Sequence, residues 1–225
     1  MKQLNKLATA IIPNNGGELV LLQRENEFTI KLSGSRGVLM NSGVYNSEQE
    51  LAKFGCAHIK NKEGAEVLVG GLGMGYTLAS ALECVTASSR VTVAELIPEV
   101  VEWNRGPLGE CSGKPLEDER CQVRLGDIAE LIKQQKPDFD AILLDVDNGP
   151  DGITNSDNNW LYSSAGLSAL YNSLRPKGML AVWSAAPDSV FITQLKKAGF
   201  KVTQKMARAR PGKGSRHIIF LAKKP

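Results

Sequence analysis

Between Glu66 and Leu221 the chain alternates between short apolar runs and amphipathic stretches, and this alternation narrows the fold more than any other feature. Glu66–Val69, Arg90–Ala94, Gln122–Leu125, Phe139–Leu144 and Met179–Trp183 are too short for helices and read as strands. Each is followed by a helical pattern. Thr77–Ala87 places Leu78, Leu82 and Val85 on one face, and Pro98 suits the first turn of the next helix. Ile128–Gln134 and Ser163–Leu174 follow, the latter ended by Arg175-Pro176-Lys177-Gly178. Val190–Ala198 places Phe191, Leu195 and Ala198 together. Strands separated by helices pair in parallel, because a parallel neighbour needs a crossover. The terminal runs Lys201–Met206 and His217–Leu221 leave no room for a helix and should be antiparallel neighbours. The expectation is an α/β fold: a doubly wound, mostly parallel seven-stranded sheet with an antiparallel last strand. Phe139–Leu144, the most apolar run, belongs at its centre.

Ahead of this unit lies a short N-terminal β segment, with Glu18–Arg24, Phe28–Leu32 and Val38–Met40 as strands. Ser47-Glu48-Gln49-Glu50 has the capping-box pattern, so a helix is expected from there to about Lys60. Two parts follow: residues 1–60, a small β-rich segment and helix, and residues 61–225, the doubly wound, Rossmann-like domain.

In doubly wound sheets, ligands bind beyond the carboxyl ends of the strands, where strand order reverses. The first parallel strand runs into Gly70-Gly71-Leu72-Gly73-Met74-Gly75-Tyr76. Glycines let a backbone turn tightly and approach a ligand. Tyr76 stands where the dinucleotide fingerprint wants a small residue, and no G-K-[ST] exists for a P-loop. Glu95 ends the second strand twenty residues after Gly75, where a carboxylate can accept from both ribose hydroxyls. Asp127 follows the third strand and can accept from an adenine amine. Together these imply an adenosyl ligand without pyrophosphate, of the S-adenosylmethionine type.

The motifs Gly71-Leu72-Gly73-Met74-Gly75-Tyr76-Thr77-Leu78, Val93-Ala94-Glu95-Leu96-Ile97, Asp127 and Leu143-Leu144-Asp145-Val146-Asp147-Asn148-Gly149-Pro150 make the chain resemble the spermidine synthase family over about Glu66 to Leu221. That family has the class I S-adenosylmethionine-dependent methyltransferase fold. The resemblance implies that Gly71, Gly73, Met74, Gly75, Glu95, Asp127 and Asp145 bind the cofactor, S-adenosylmethionine or its decarboxylated form. The product is then S-adenosylhomocysteine or methylthioadenosine. It implies aminopropyl transfer to a small amine, with Asp145 and Asp147 catalytic. Asn148, Trp160, Tyr162 and Trp183 are expected to line the acceptor side. The family usually has an acid where Met74 stands and a second Asp where Asn148 stands. Its Tyr-His-Glu-like amine-binding segment has no recognisable counterpart in Asn46–His58.

Charge bears on the acceptor. From Ser189 to the end the chain holds ten Lys/Arg and no acid, leaving 17 basic against 24 acidic residues before it. The stretch Arg208-Ala209-Arg210-Pro211-Gly212-Lys213-Gly214-Ser215-Arg216 is expected as a basic loop overlooking the cleft. Such a loop suits a carboxylate, a phosphate or a nucleic acid and repels a diamine. A methyltransferase acting on an anionic small molecule or RNA, and a non-catalytic adenosyl-binding protein, are therefore alternative readings. Four scattered cysteines and two distant histidines give no metal-ligand spacing, so no metal site is expected. No apolar run approaches the roughly 20 residues of a bilayer span. Without a signal peptide pattern, a cytoplasmic protein with no membrane partner is expected, and the N-terminal strands could pair across a homodimer axis.

Overall fold

The computed structural model describes residues 4–13, 16–34, 37–134, 138–146 and 158–225. Two sheets organise them. The N-terminal residues form a four-stranded antiparallel sheet: β1 (Asn5–Ile12), β2 (Gly17–Arg24), β3 (Glu27–Leu32) and β4 (Met40–Asn41), in that order. The first of these strands was not expected. Its alternation is broken by a register shift between Lys6 and Ala8, and only its far end, Ala10 and Ile12, is buried. Strand β4 is two residues long and pairs only Thr29↔Asn41 and Ile30↔Met40, shorter than the Val38–Met40 reading.

The second sheet carries the site. Its strands are β5 (Glu66–Gly70), β6 (Arg90–Glu95), β7 (Cys121–Leu125), β8 (Phe139–Leu144), β9 (Leu174–Ser184), β10 (Lys201–Arg210) and β11 (Lys213–Lys223). Their spatial order is β10-β11-β9-β8-β5-β6-β7. Pairing is parallel from β9 through to β7, and β11 runs antiparallel to both neighbours. This is the sheet expected from the sequence. Strand β8 sits at its centre with every residue buried, as a strand covered on both faces must. The chain moves outward from β5 to β6 and β7, then returns to the other side of β5 for β8. The reversal opens a crevice above the ends of β5 and β8.

Helices α1 (Asn46–Cys56), α2 (Tyr76–Cys84) and α3 (Pro98–Arg105) share one apolar layer with β1–β3. The opposite layer holds α4 (Ile128–Gln134), α5 (Asn158–Tyr162), α6 (Ser164–Ser173) and α7 (Ser189–Lys197). Helix α1 lies against β8, β9, β10 and α2. Gly55 permits that approach, since a Cβ there would fall 2.3 Å from Leu143 Cδ2. The capping box does not form. The helix N-cap is Tyr45 without a side-chain bond, and Ser47 is buried in the first turn. Asn46 instead donates through Nδ2 to Arg208 O at 2.8 Å. Helix α2 stops at Cys84, before the expected Ala87.

Two further expectations change. Arg175-Pro176-Lys177-Gly178 is an irregular part of β9, with Lys177 at φ 67° and a register shift opposite Phe139/Ala141, so α6 ends on a strand. The basic loop between the last strands shrinks to Pro211-Gly212, because β10 runs on to Arg210 and β11 begins at Lys213. Among the described residues no helix is long and apolar enough to cross a membrane.

Candidate functional site

The crevice encloses about 220 Å3. Its floor is the turn after β5. Gly71 N–H bonds to Ala94 O and Asp145 N–H to Gly70 O, both at 2.9 Å, which locks the turn between β6 and β8. Gly71 adopts φ 86°, and a Cβ on it would lie 2.5 Å from the Asp145 carbonyl oxygen, so only glycine fits. Asn104 Nδ2 donates to Gly73 O at 2.8 Å and holds the turn from behind. Gly71, Gly73 and buried Met74 line the crevice; Gly75 does not, serving as the N-cap of α2 against Ser112 and Asn104.

Glu95 and Asp127 both line the crevice and both also hold backbone. Glu95 Oε2 accepts from Leu72 N–H at 2.9 Å and Oε1 from Ile97 N–H at 2.8 Å. Burial raises its pKa, and these backbone donors work against the rise. Asp127 Oδ1 accepts from Ala129 N–H at 2.7 Å at the start of α4. The residues present fit an adenosyl ligand: a tight glycine turn, a buried acid lining the crevice at the end of β6, and a second acid at the next strand end.

Asp145 stands at the end of β8 on the same wall. Burial pushes its carboxyl up to about 6, while a 2.6 Å hydrogen bond from Thr77 Oγ1 to Oδ2 opposes the shift. Glu48, from the first turn of α1, lines the same crevice. Burial raises its pKa well above the ordinary carboxylate value, and the neighbouring Asp145 charge adds to that. Sequence reading treated Glu48 only as part of a capping box. Its signal was the spacing Glu48, Leu51, Ala52, Gly55, which puts an acid on the buried stripe of α1. Also missed were Ile12, Leu19, Ile30 and Met40, the apolar roof that β1–β4 lay over the turn.

Trp183 lines the crevice from the end of β9. Trp160 and Tyr162 do not. Trp160 lies under the Lys133 ammonium, 4.7 Å from its ring centroid, and Tyr162 turns into the core edge-on to Phe191 at 5.6 Å. The short helix α5 directs both rings toward the α4–α7 layer. Asp147 and Asn148 lie outside the described residues.

A seven-stranded sheet of this order, with a glycine turn after β5 and acids ending the next strands, defines a protein of the S-adenosylmethionine-dependent methyltransferase fold. Solved spermidine synthases share it across the whole chain. The Thermotoga maritima enzyme superposes with a TM-score of 0.76 at 17% identity, with 75% of its chain covered. A spermidine synthase in complex with the transition-state analogue AdoDATO superposes with 0.74 at 17% identity, with 74% covered. Residues 47–209 match the spermine/spermidine synthase domain, and the chain belongs to that family. The polyamine aminopropyltransferase of Prochlorococcus marinus strain AS9601 is 30% identical over 152 residues, 64% of this chain and 51% of the relative. That of Sulfolobus acidocaldarius is 27% identical over 130 residues, 58% and 42% respectively. The chain thus spans about half the length of the curated relatives it matches.

Proposed function

We propose that the chain transfers an aminopropyl group from decarboxylated S-adenosylmethionine to an amine, as the names of its curated relatives suggest. The donor brings a sulfonium whose propyl carbon is open to displacement. The glycine turn, Glu95 and Asp127 hold the nucleoside end. The amine nitrogen forms the new C–N bond as the C–S bond breaks, and that bond's electron pair leaves on sulfur as methylthioadenosine. An amine arrives largely protonated near neutral pH, so a carboxylate must take a proton before or during attack. Asp145 fills that role, and Glu48 supplies a second carboxyl to hold the ammonium. The apolar roof excludes water and strengthens both interactions.

The observation that carries this reading is the pair of carboxyls, Asp145 and Glu48, in one apolar-walled crevice beside the nucleoside turn. No Lys or Arg lines that crevice among the described residues. Two desolvated acids without a protein cation call for a cationic ligand. The division near residue 60 is kept as part of the proposal, with β1–β4 as the roof; α1 serves the large sheet. The setting is taken to be cytoplasmic. Incubation with decarboxylated S-adenosylmethionine and an amine panel should release methylthioadenosine, and Asp145→Asn should abolish the release. Methyl transfer is the second reading, favoured by apolar Met74 in the turn. Release of S-adenosylhomocysteine from S-adenosylmethionine, with no methylthioadenosine from the decarboxylated donor, would establish that alternative instead.

A further inference from the structure

The β10–β11 hairpin pairs cation with cation. Three of its registered pairs set like charges opposite each other: Lys201 with Lys223, Arg208 with Arg216, and Arg210 with Lys213. Like charges so placed destabilise a sheet. From Ser189 to the end the sequence holds ten Lys/Arg and no acid to relieve them. Acids on the elements packed against the hairpin are committed elsewhere. Asp188 caps α7, Glu50 pairs with Lys53, and Glu48 lines the crevice. Strand β9 has no acid. Cations with carboxylate partners lie earlier in the chain: Arg90 with Glu66, Arg120 with Asp118, Arg175 with Asp138 and Asp140. Among the described residues, none from β10 or β11 lines the crevice, so this charge is not part of that site.

Edge position explains part of the pattern. Strand β10 ends the sheet, and lysines on an edge strand block pairing with another chain. Protection of the edge does not account for Lys213, Arg216 and Lys223, which stand on β11, a strand inside the order. The upper hairpin is also free of a third strand. Strand β11 pairs with β9 only from Ile218 to Lys223, so Ala207–Arg210 and Lys213–His217 form a two-stranded ribbon beyond it. One face of this ribbon is packed, with Ala207 and Ala209 buried. Side chains alternate along a strand, so Arg208 and its partner Arg216 stand on the other face. The tip pair, Arg210 and Lys213, is exposed, as is Arg216. Arg210 is two residues beyond Arg208, about 7 Å, and paired strands lie about 5 Å apart, so four cations crowd the ribbon's end. Lower on the edge strand, Lys201 and Lys205 are exposed as well, so cations line about 30 Å from Lys201 to Arg210.

An unrelieved row of cations of this length suits a linear polyanion. At about 3.4 Å per phosphate, about 30 Å matches about nine phosphates along one strand of a duplex. A two-stranded ribbon is also the β element that a nucleic-acid groove admits. No aromatic ring is offered beside the cations: Phe191, Phe200 and Phe220 are buried, and His217 is stacked on Trp183. Without rings to stack on bases, contacts go to the backbone and single strands gain nothing extra. A bilayer needs a broad apolar face, and after Ser189 only Val190 and Met206 are large, apolar and exposed. A second copy of the chain would set these cations against themselves. We infer that the β10–β11 ribbon and its edge form a docking surface for double-stranded nucleic acid, held through its phosphates and without base selection. This surface is independent of the transfer reading, which concerns the crevice.

The test is fluorescence anisotropy of the full chain with a labelled duplex of about 16 base pairs, as DNA and as RNA, between about 50 and 200 mM salt. Four to six phosphates neutralised predict a log–log slope of about −4 to −5, so affinity should fall about 250- to 1000-fold across that range. The tighter of the two duplexes separates DNA from RNA as the source of the phosphates. The double variant Lys213→Gln/Arg216→Gln should weaken duplex binding at least about tenfold at about 100 mM salt and make the slope shallower by about 2. Each substitution removes one member of a like-charge pair, so the melting temperature should hold or rise. Arg105→Gln, which removes an exposed cation paired with Glu102 on α3, should leave binding unchanged. A single strand of the same length should bind at least about tenfold more weakly. Duplex binding that survives the double variant intact overturns the inference, as does a slope shallower than about −2. So does tighter binding to the single strand, or capture by phosphatidylserine/phosphatidylcholine vesicles without duplex binding. Methylthioadenosine release should be the same in the double variant and the parent, which keeps the two proposals separable.

Discussion

Replacing Asp145 by Asn should stabilise the protein while silencing it. In the folded chain the Asp145 carboxyl titrates at about 6, against 3.8 for an unperturbed aspartate. Below about pH 4 the group is protonated in folded and unfolded chains alike, and it contributes no difference. Between these values the folded state binds the proton and the unfolded state does not, so stability falls as pH rises from about 4 to 6. Above about 6 the carboxylate is charged in both states and the folded one bears the whole shift. A shift of about two units corresponds to about 3 kcal/mol. Asparagine removes the charge yet keeps an oxygen to accept the 2.6 Å bond from Thr77. Its amide hydrogens need partners in the crevice, which reduces the gain to about 1–3 kcal/mol. For a chain of this size that is about 3–10 °C in melting temperature. Paired thermal melts of parent and variant at pH 8 and pH 4, without ligand, measure it. The gain should appear at pH 8 and vanish at pH 4. A variant equally or less stable at pH 8 would show that Asp145 is not desolvated as described.

On the proposed transfer with Asp145 as base, kcat/KM should fall about tenfold per pH unit below about 6 and level off above it; a profile flat down to pH 4.5 removes Asp145 as base. Glu48→Gln should raise acceptor KM by ten- to a hundredfold while leaving methylthioadenosine affinity within about twofold, and should leave the acid limb of that profile in place, because burial and not Glu48 raises the Asp145 carboxyl. Gly71→Ala places a methyl 2.5 Å from the Asp145 carbonyl at φ 86°. Calorimetry should find methylthioadenosine binding lost, with the melting temperature lowered by several degrees.

The parallel half of the fold was readable because its signals are local. Phe139–Leu144 is apolar but for Asp140, the glycine turn follows β5 directly, and Glu95 and Asp127 stand at the ends of their strands. What sequence missed depends on distant partners. Strand β1 is held by its register with β2 and buries only Ala10 and Ile12 fully. The start of α1 is set by a bond from Asn46 to Arg208, 162 residues away, and not by the local Ser47/Glu50 pattern. Tyr162 and Trp160 were placed near the crevice from their chain position after β8. The packing of Tyr162 on Phe191 sends its ring into the core instead, a choice that only the position of α7 decides.

The same dependence explains why the candidate chemistry was only half legible. An aspartate at a strand end is ordinarily a solvated acid, and nothing within Leu143-Leu144-Asp145-Val146 raises its pKa. The raising comes from enclosure: Ile12, Leu19, Ile30 and Met40 from the N-terminal sheet, and Glu48 from α1, surround a floor built by β5 to β8. Removing water from that space strengthens every charge interaction left inside it. A carboxyl so placed is held toward its neutral form until a cation arrives, and a cationic ligand that displaces the proton also supplies the missing counter-charge. In the proposed transfer, the base and the recognition of the amine are thus one electrostatic device, assembled from segments that the chain separates by about a hundred residues. The roof makes the device, and the strand end merely supplies its acid.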